Sequence, residues 1–161
     1  MRDERAAKRS PAALLTPVWV RILSDILFAV YLALLFRLTV FRDNFSLHNF
    51  MLGGNINLTV FCDLIDLIRR GGAFYFFYLF LGNIAAFIPL GGYLAYRTGM
   101  RMAAIVLTGT AVSIAIETLQ FAFAVGVTEI DDVILNTAGT LIGAAAVFLI
   151  CRCHKTKNKA K

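Results

Sequence analysis

The chain has 161 residues, of which 59% are hydrophobic and only 16% charged, with a net charge of +6. A soluble domain of this size carries roughly a quarter charged residues, so the composition excludes an ordinary water-soluble domain and points to a polytopic membrane protein. The basic excess lies at the termini and in one short loop, a placement that sets orientation in a bilayer rather than offering a surface to nucleic acid.

In chain order, residues 1–21 form a basic N-terminus, with Arg2, Arg5, Lys8, Arg9 and Arg21 against Asp3 and Glu4. A first apolar run covers 22–41 and ends with Arg37 in its last turns. It is long enough to span, and the FRDNF segment after it lacks the small residues of a signal-peptide cleavage site. The loop from 42 to 72 balances Arg42, Arg69 and Arg70 with Asp43, Asp63 and Asp66. Within it, INLTVFCDLIDLI sets Leu64, Ile65, Leu67 and Ile68 beside Asp63 and Asp66, the pattern of a short amphipathic helix on the outer surface. The second run, 73–96, is interrupted by Asn83, and its PLGG stretch, Pro89 to Gly92, predicts a kink toward the cytoplasmic end. YRTGMR connects it to the third run, 102–125, which contains Glu117 and Gln120. The acidic connection VGVTEIDD leads into the fourth run, 133–151, where Gly139 and Gly143 form a GxxxG pair suited to close helix approach. A tail, 152–161, carries Arg152, Lys155, Lys157, Lys159 and Lys161 and no acid, a segment that can lie on anionic headgroups.

These elements predict an all-α membrane protein with a single four-helix domain over 22–151, since about 20 apolar residues cross a hydrocarbon core and the runs lack the alternation of barrel strands. The positive-inside rule places both termini and the YRTGMR loop in the cytoplasm, and the long first loop and the acidic third loop outside. The expected location is the cell membrane, with membrane lipids as partners.

Charged and amide side chains inside a span are costly and mark bundle interiors or wet cavities. Ser113, Glu117 and Gln120 share one helical face, and so do Asp132 and Asn136, because residues three and four apart lie together. With the orientation above, Arg37, Asn83, Glu117, Gln120, Asp132 and Asn136 all fall in the outer halves of their helices. Together with Asp131 they predict a polar pocket open to the outside, in which Arg37 pairs with Glu117 or an aspartate. Glu117 with Asp131 or Asp132 offers an acid–base pair or oxygen ligands for a divalent cation, and Glu117 and Asp132 are the catalytic candidates. No cofactor motif is present. The CRCH string, Cys151 to His154, lacks a second ligand pair, and His48 and His154 fall on opposite sides of the membrane, so no metal centre is expected.

LGNIAAFIPLGGYL, then SIAIETLQF, then EIDDVILNTAGTLIG resemble the VanZ-like family of bacterial membrane proteins, and INLTVF resembles its NLxPF loop motif. Arg37 sits where an arginine often ends the family's first helix. The positions that match are Asn83, Phe87, Pro89, Gly91, Glu117, Gln120, Asp131, Asp132, Asn136 and Gly139. Three positions depart: Val60 stands for the loop proline, Glu129 for the first aspartate, and Gly126 where many members have an arginine. The resemblance implies a link to teicoplanin-type glycopeptide resistance. Together with the outward pocket it leads to the first reading, a non-enzymatic membrane protein whose ligand is a lipoglycopeptide or a lipid-linked wall precursor. The alternative is a membrane enzyme acting on a lipid headgroup or on such a precursor.

Overall fold

The computed structural model describes residues 16–41, 45–51 and 53–159. Among the charges that orient the chain, Arg2, Asp3, Glu4, Arg5, Lys8, Arg9, Arg42, Asp43 and Lys161 lie outside them, as do the side chains of Asp63, His154, Lys155, Lys157 and Lys159. The order is helix α1 (Val18–Thr39), a 3-10 turn (Leu47–Asn49), strand β1 (Asn55–Asn57), helix α2 (Cys62–Arg69), helix α3 (Ala73–Thr98), helix α4 (Met102–Ala122), strand β2 (Val127–Glu129) and helix α5 (Ile130–Lys159). Four of these helices, α1, α3, α4 and the Ile130–Cys153 part of α5, are long and apolar enough to cross a membrane.

An uninterrupted apolar run satisfies its backbone without water only by closing its own i to i−4 bonds. The hydroxyls inside the runs follow the same rule. Thr108, Thr110, Thr118 and Thr140 each donate to the carbonyl four residues earlier, at 2.7 to 3.0 Å, so none of these four hydroxyls needs an acceptor from solvent. The outward faces are apolar, with Trp19, Ile22, Leu38, Phe74, Leu107 and Leu149 exposed. That inverts the pattern of a water-soluble bundle, where the outer face is polar.

The centre is the α3–α5 pair. Gly139 and Gly143 of α5 lie against the carbonyls of Ile84 and Ile88 of α3, with no room for a side chain between them. The GxxxG pair therefore brings two backbones into contact, and α4 closes the third side through Ile105, Ser113 and Ile116. By contrast α1 is peripheral, with Leu35 its one buried residue. Contacts with α3 hold it: Tyr31 Oη donates to the Ala86 carbonyl at 2.6 Å, Phe28 stacks on Tyr93 at 3.7 Å, and Asp25 binds Arg97 through bonds of 2.8 and 2.9 Å. Tyr93 Oη also donates to Asp25. Asp25 is an acid within an apolar run that the reading of polar positions passed over.

At the other end from Arg97, the first and third loops interlock. β1 and β2 pair in parallel, with Asn55 opposite Val127, Ile56 opposite Thr128 and Asn57 opposite Glu129. Backbone bonds from Met51 to Ala122 (2.8 Å) and from Gly54 to Phe121 (2.9 Å) tie the first loop to the end of α4. Phe45 and Phe50 pack on Phe123. The first loop is thus a folded cap. It contains the expected amphipathic segment as α2, with Ile65 and Ile68 exposed on its surface.

α3 stays helical through Pro89, as helices tolerate proline where neighbours re-satisfy the freed carbonyl. Two details differ from the sequence reading. A two-stranded ladder joins loops of a chain expected to be all helical. And α5 begins three residues earlier than the apolar count from Val133, so Asp131 and Asp132 occupy its first turn. Apolar counting misses such a start, because the positive end of a helix dipole favours acids there.

Candidate functional site

A cavity of about 540 Å³ opens where the loops cap the bundle, within the size range of ligand pockets. Each of the four long helices contributes to it. α1 supplies its last residues, Leu38 and Thr39, α3 supplies Tyr75, Tyr78, Leu79 and Asn83, and α4 supplies Gln120. The turn from Val125 to Glu129 and the start of α5, with Asp132 and Leu135, complete the wall. One side is therefore aromatic and aliphatic, and the other is amide and carboxylate.

The polar side is built by cross-helix bonds. Asn83 Nδ2 on α3 donates to Asp132 Oδ1 on α5 at 2.5 Å. Gln120 on α4 is only 8% exposed, and its Nε2 donates to the Thr39 carbonyl at the end of α1 at 3.2 Å. Its Oε1 has no hydrogen-bond partner. Glu129 and Asp131 act electrostatically on Asp132, and both are acids.

Behind this wall, three more of the expected residues brace the structure. Glu117 is 5% exposed, and its Oε2 accepts the Glu129 backbone N–H at 3.0 Å. Thr128 Oγ1 donates to the Glu117 carbonyl. A buried carboxylate thus anchors β2, which carries the third loop into the cavity. Asp131, 3% exposed, accepts the Phe61 N–H with both oxygens, at 2.9 and 3.0 Å. Phe61 has φ 55°, so this carboxylate holds the residue that opens α2 in a conformation L-residues rarely adopt. Asn136 donates to Ser113 Oγ at 2.9 Å, and its Oδ1 has no partner. The expected faces are real: Ser113, Glu117 and Gln120 are all buried along α4.

Of the seven predicted pocket residues, Asn83, Gln120 and Asp132 line the cavity, while Glu117, Asp131 and Asn136 hold its frame. Arg37 stands apart. It is exposed, and its Nη1 donates to the carbonyl of Phe41, just past the end of its own helix. Among the described residues it forms no ion pair with Glu117, Asp131 or Asp132. The reason is position: in the last turn of α1, unpaired carbonyls and the negative end of the helix dipole draw a guanidinium outward. Sequence reasoning also missed the polar lining residues Thr39, Tyr75, Tyr78 and Glu129, besides the apolar part of the wall. The one available signal was Tyr75 and Tyr78 at i, i+3 at the head of an apolar run. Val60 is exposed beside Phe61, whereas Gly126, at φ 89°, lines the cavity. Among the described residues no three His, Cys, Asp or Glu side chains converge to hold a metal ion.

Neither the curated proteins nor the solved structures yield a match to this chain. A family model described as VanZ/LLP1 matches residues 28–152. That range contains α3 and α4 whole, all but the last residue of the apolar part of α5, the second half of α1, the loop cap and the complete cavity wall. Ordered motifs, four helices long enough to span, and a match over most of the chain agree, and this membrane protein belongs to the VanZ/LLP1 family.

Proposed function

We propose that this protein binds an envelope-associated amphiphile in the cavity beneath its loop cap, on the extracytoplasmic side of the cell membrane, and acts as a non-enzymatic determinant of teicoplanin-type glycopeptide susceptibility. The observation that carries this reading is the cavity itself. Four helices bring Thr39, Asn83, Gln120 and Asp132 to one chamber, and its other wall is aliphatic and aromatic. Such a chamber suits a molecule with a polar head and an apolar body. Lipoglycopeptides and lipid-linked wall precursors have that form. Expression in a glycopeptide-susceptible host should raise the inhibitory concentration of teicoplanin, and Asp132→Ala should abolish the rise at equal protein level. Unchanged susceptibility on expression of the unaltered chain removes the resistance role.

The orientation has its own test in the native cysteines. Cys62 is exposed and free at the start of α2, and Cys151 and Cys153 are free near the far end of α5. With the termini in the cytoplasm, a membrane-impermeant maleimide applied to intact cells should label Cys62, with Cys62→Ser removing nearly all signal. Labelling of Cys153 in sealed cells would reverse the assignment.

A further inference from the structure

We propose that the cavity takes the protonated primary amine of an amphiphile, with Gln120 Oε1 and Asp132 as its hydrogen-bond acceptors; this deepens, and rests on, the reading of the cavity as an envelope-ligand site. The demand comes from Gln120. Its side chain is 92% buried, since 8% is exposed, and it lines the cavity. One end of its amide is held by the Thr39 carbonyl, while Oε1 is an acceptor with no donor. A buried acceptor left without a donor is costly, and native structures rarely keep one without a reason.

The charge of the missing donor follows from what surrounds it. Asp132 shares the chamber and gives one oxygen to Asn83. The acids Glu129 and Asp131 act on it electrostatically, and it acts in turn on Glu117. No lysine or arginine is among the described residues that line the chamber. Among the described residues the wall therefore offers the unfilled Gln120 acceptor and the Asp132 carboxyl group, and the complement of these two is a donor-only cation. An ammonium has three N–H donors and no acceptor. A bare divalent ion needs a shell of six or more oxygens, and no three carboxylates converge among the described residues. Tyr75 and Tyr78 line the α3 side, and tyrosine rings are among the side chains that attract a cation. Leu38 and Leu79 continue that side with apolar surface, where the body of an amphiphile can lie.

Two envelope molecules present this chemistry: an aminophospholipid headgroup, and the free side-chain amine of a peptide on a polyprenyl diphosphate. The test uses the full chain in phosphatidylglycerol nanodiscs, read by native mass spectrometry. The probes are phosphatidylethanolamine, its N-acetylated form, a polyprenyl-diphosphate-linked peptide with a free lysyl amine, and that peptide N-acetylated. At least one free amine should be retained about tenfold or more over its acetylated partner, and the pair with the larger ratio identifies the source. Asp132→Asn and Gln120→Leu should each erase the ratio. Asp66→Asn, which removes the same charge on α2 outside the cavity, should leave it intact. If the variants do not fold, the acetylation ratio on the unaltered chain still decides. Equal retention of free and acetylated forms, lowered together by Asp132→Asn, overturns the amine and leaves the envelope-ligand site standing. No retention of any probe overturns both.

Discussion

Gly139→Ala and Gly143→Ala are each expected to destabilise the protein by about 3 kcal/mol, the upper part of the usual range for overpacking. A Cβ on Gly139 would overlap the Ile84 carbonyl oxygen, and one on Gly143 the Ile88 carbonyl oxygen. The obstruction is backbone on both sides, so no side chain can rotate away. α3 and α5 must separate, and a gap of about 0.5 to 1 Å forfeits a quarter to a half of each dispersion contact along the seam. In a bilayer that loss has little to offset it, because lipid tails are as apolar as the side chains and helix association depends on packing. Gly82 provides the control. Its Cβ would meet nothing within 4 Å, so Gly82→Ala should leave stability unchanged or raise it by up to about 1 kcal/mol through helix propensity. Unfolding in mixed micelles, followed by circular dichroism, measures all three. Comparable midpoints for Gly82→Ala and Gly139→Ala would refute the close-contact account. The same separation should also part Asn83 from Asp132, since Asn83 precedes Ile84 on α3. Gly139→Ala should therefore weaken the cavity as well as the fold.

The second expectation separates two adjacent acids. Asp131→Ala should cost about 1 to 3 kcal/mol, because it leaves the Phe61 N–H without its acceptor in a part-buried site. It should also loosen the first loop, whose attachment at residue 61 precedes α2. Amide exchange at Phe61 should accelerate, and trypsin should cut sooner at Arg69 and Arg70, which are exposed. Asp131→Asn keeps one acceptor oxygen and should fall between alanine and the unaltered chain. Asp132→Ala, one residue on, should leave loop protection intact and abolish ligand retention, since Asp132 faces the cavity and bonds to Asn83. If both alanine variants loosen the loop equally, the division between anchor and site is wrong.

The sequence by itself determined the four apolar runs, the buried α4 face with Ser113, Glu117 and Gln120, the role of Gly139 and Gly143 in close approach, and the surface helix of the first loop. These were legible because helical periodicity and the cost of polar groups in an apolar run are local properties, set within a few residues. Depth in the helices also predicted that Asn83, Gln120 and Asp132 share a level, and they do line one cavity.

Only the tertiary structure decided what each polar group faces. Asp131 binds Phe61 across 70 positions of sequence, and Asn83 binds Asp132 across 49. Asp132, next to Asp131, turns to the cavity instead, because adjacent residues at a helix start point in different directions. Arg37 shares the depth of the pocket yet lies outside it, drawn to the end of its own helix. Asp25 meets Arg97 at the opposite end of the bundle. Periodicity reports which side of a helix a residue occupies, but the rotation of that helix against its neighbours is fixed by long-range contacts. Here these are the glycine seam between α3 and α5 and the parallel ladder joining the two loops.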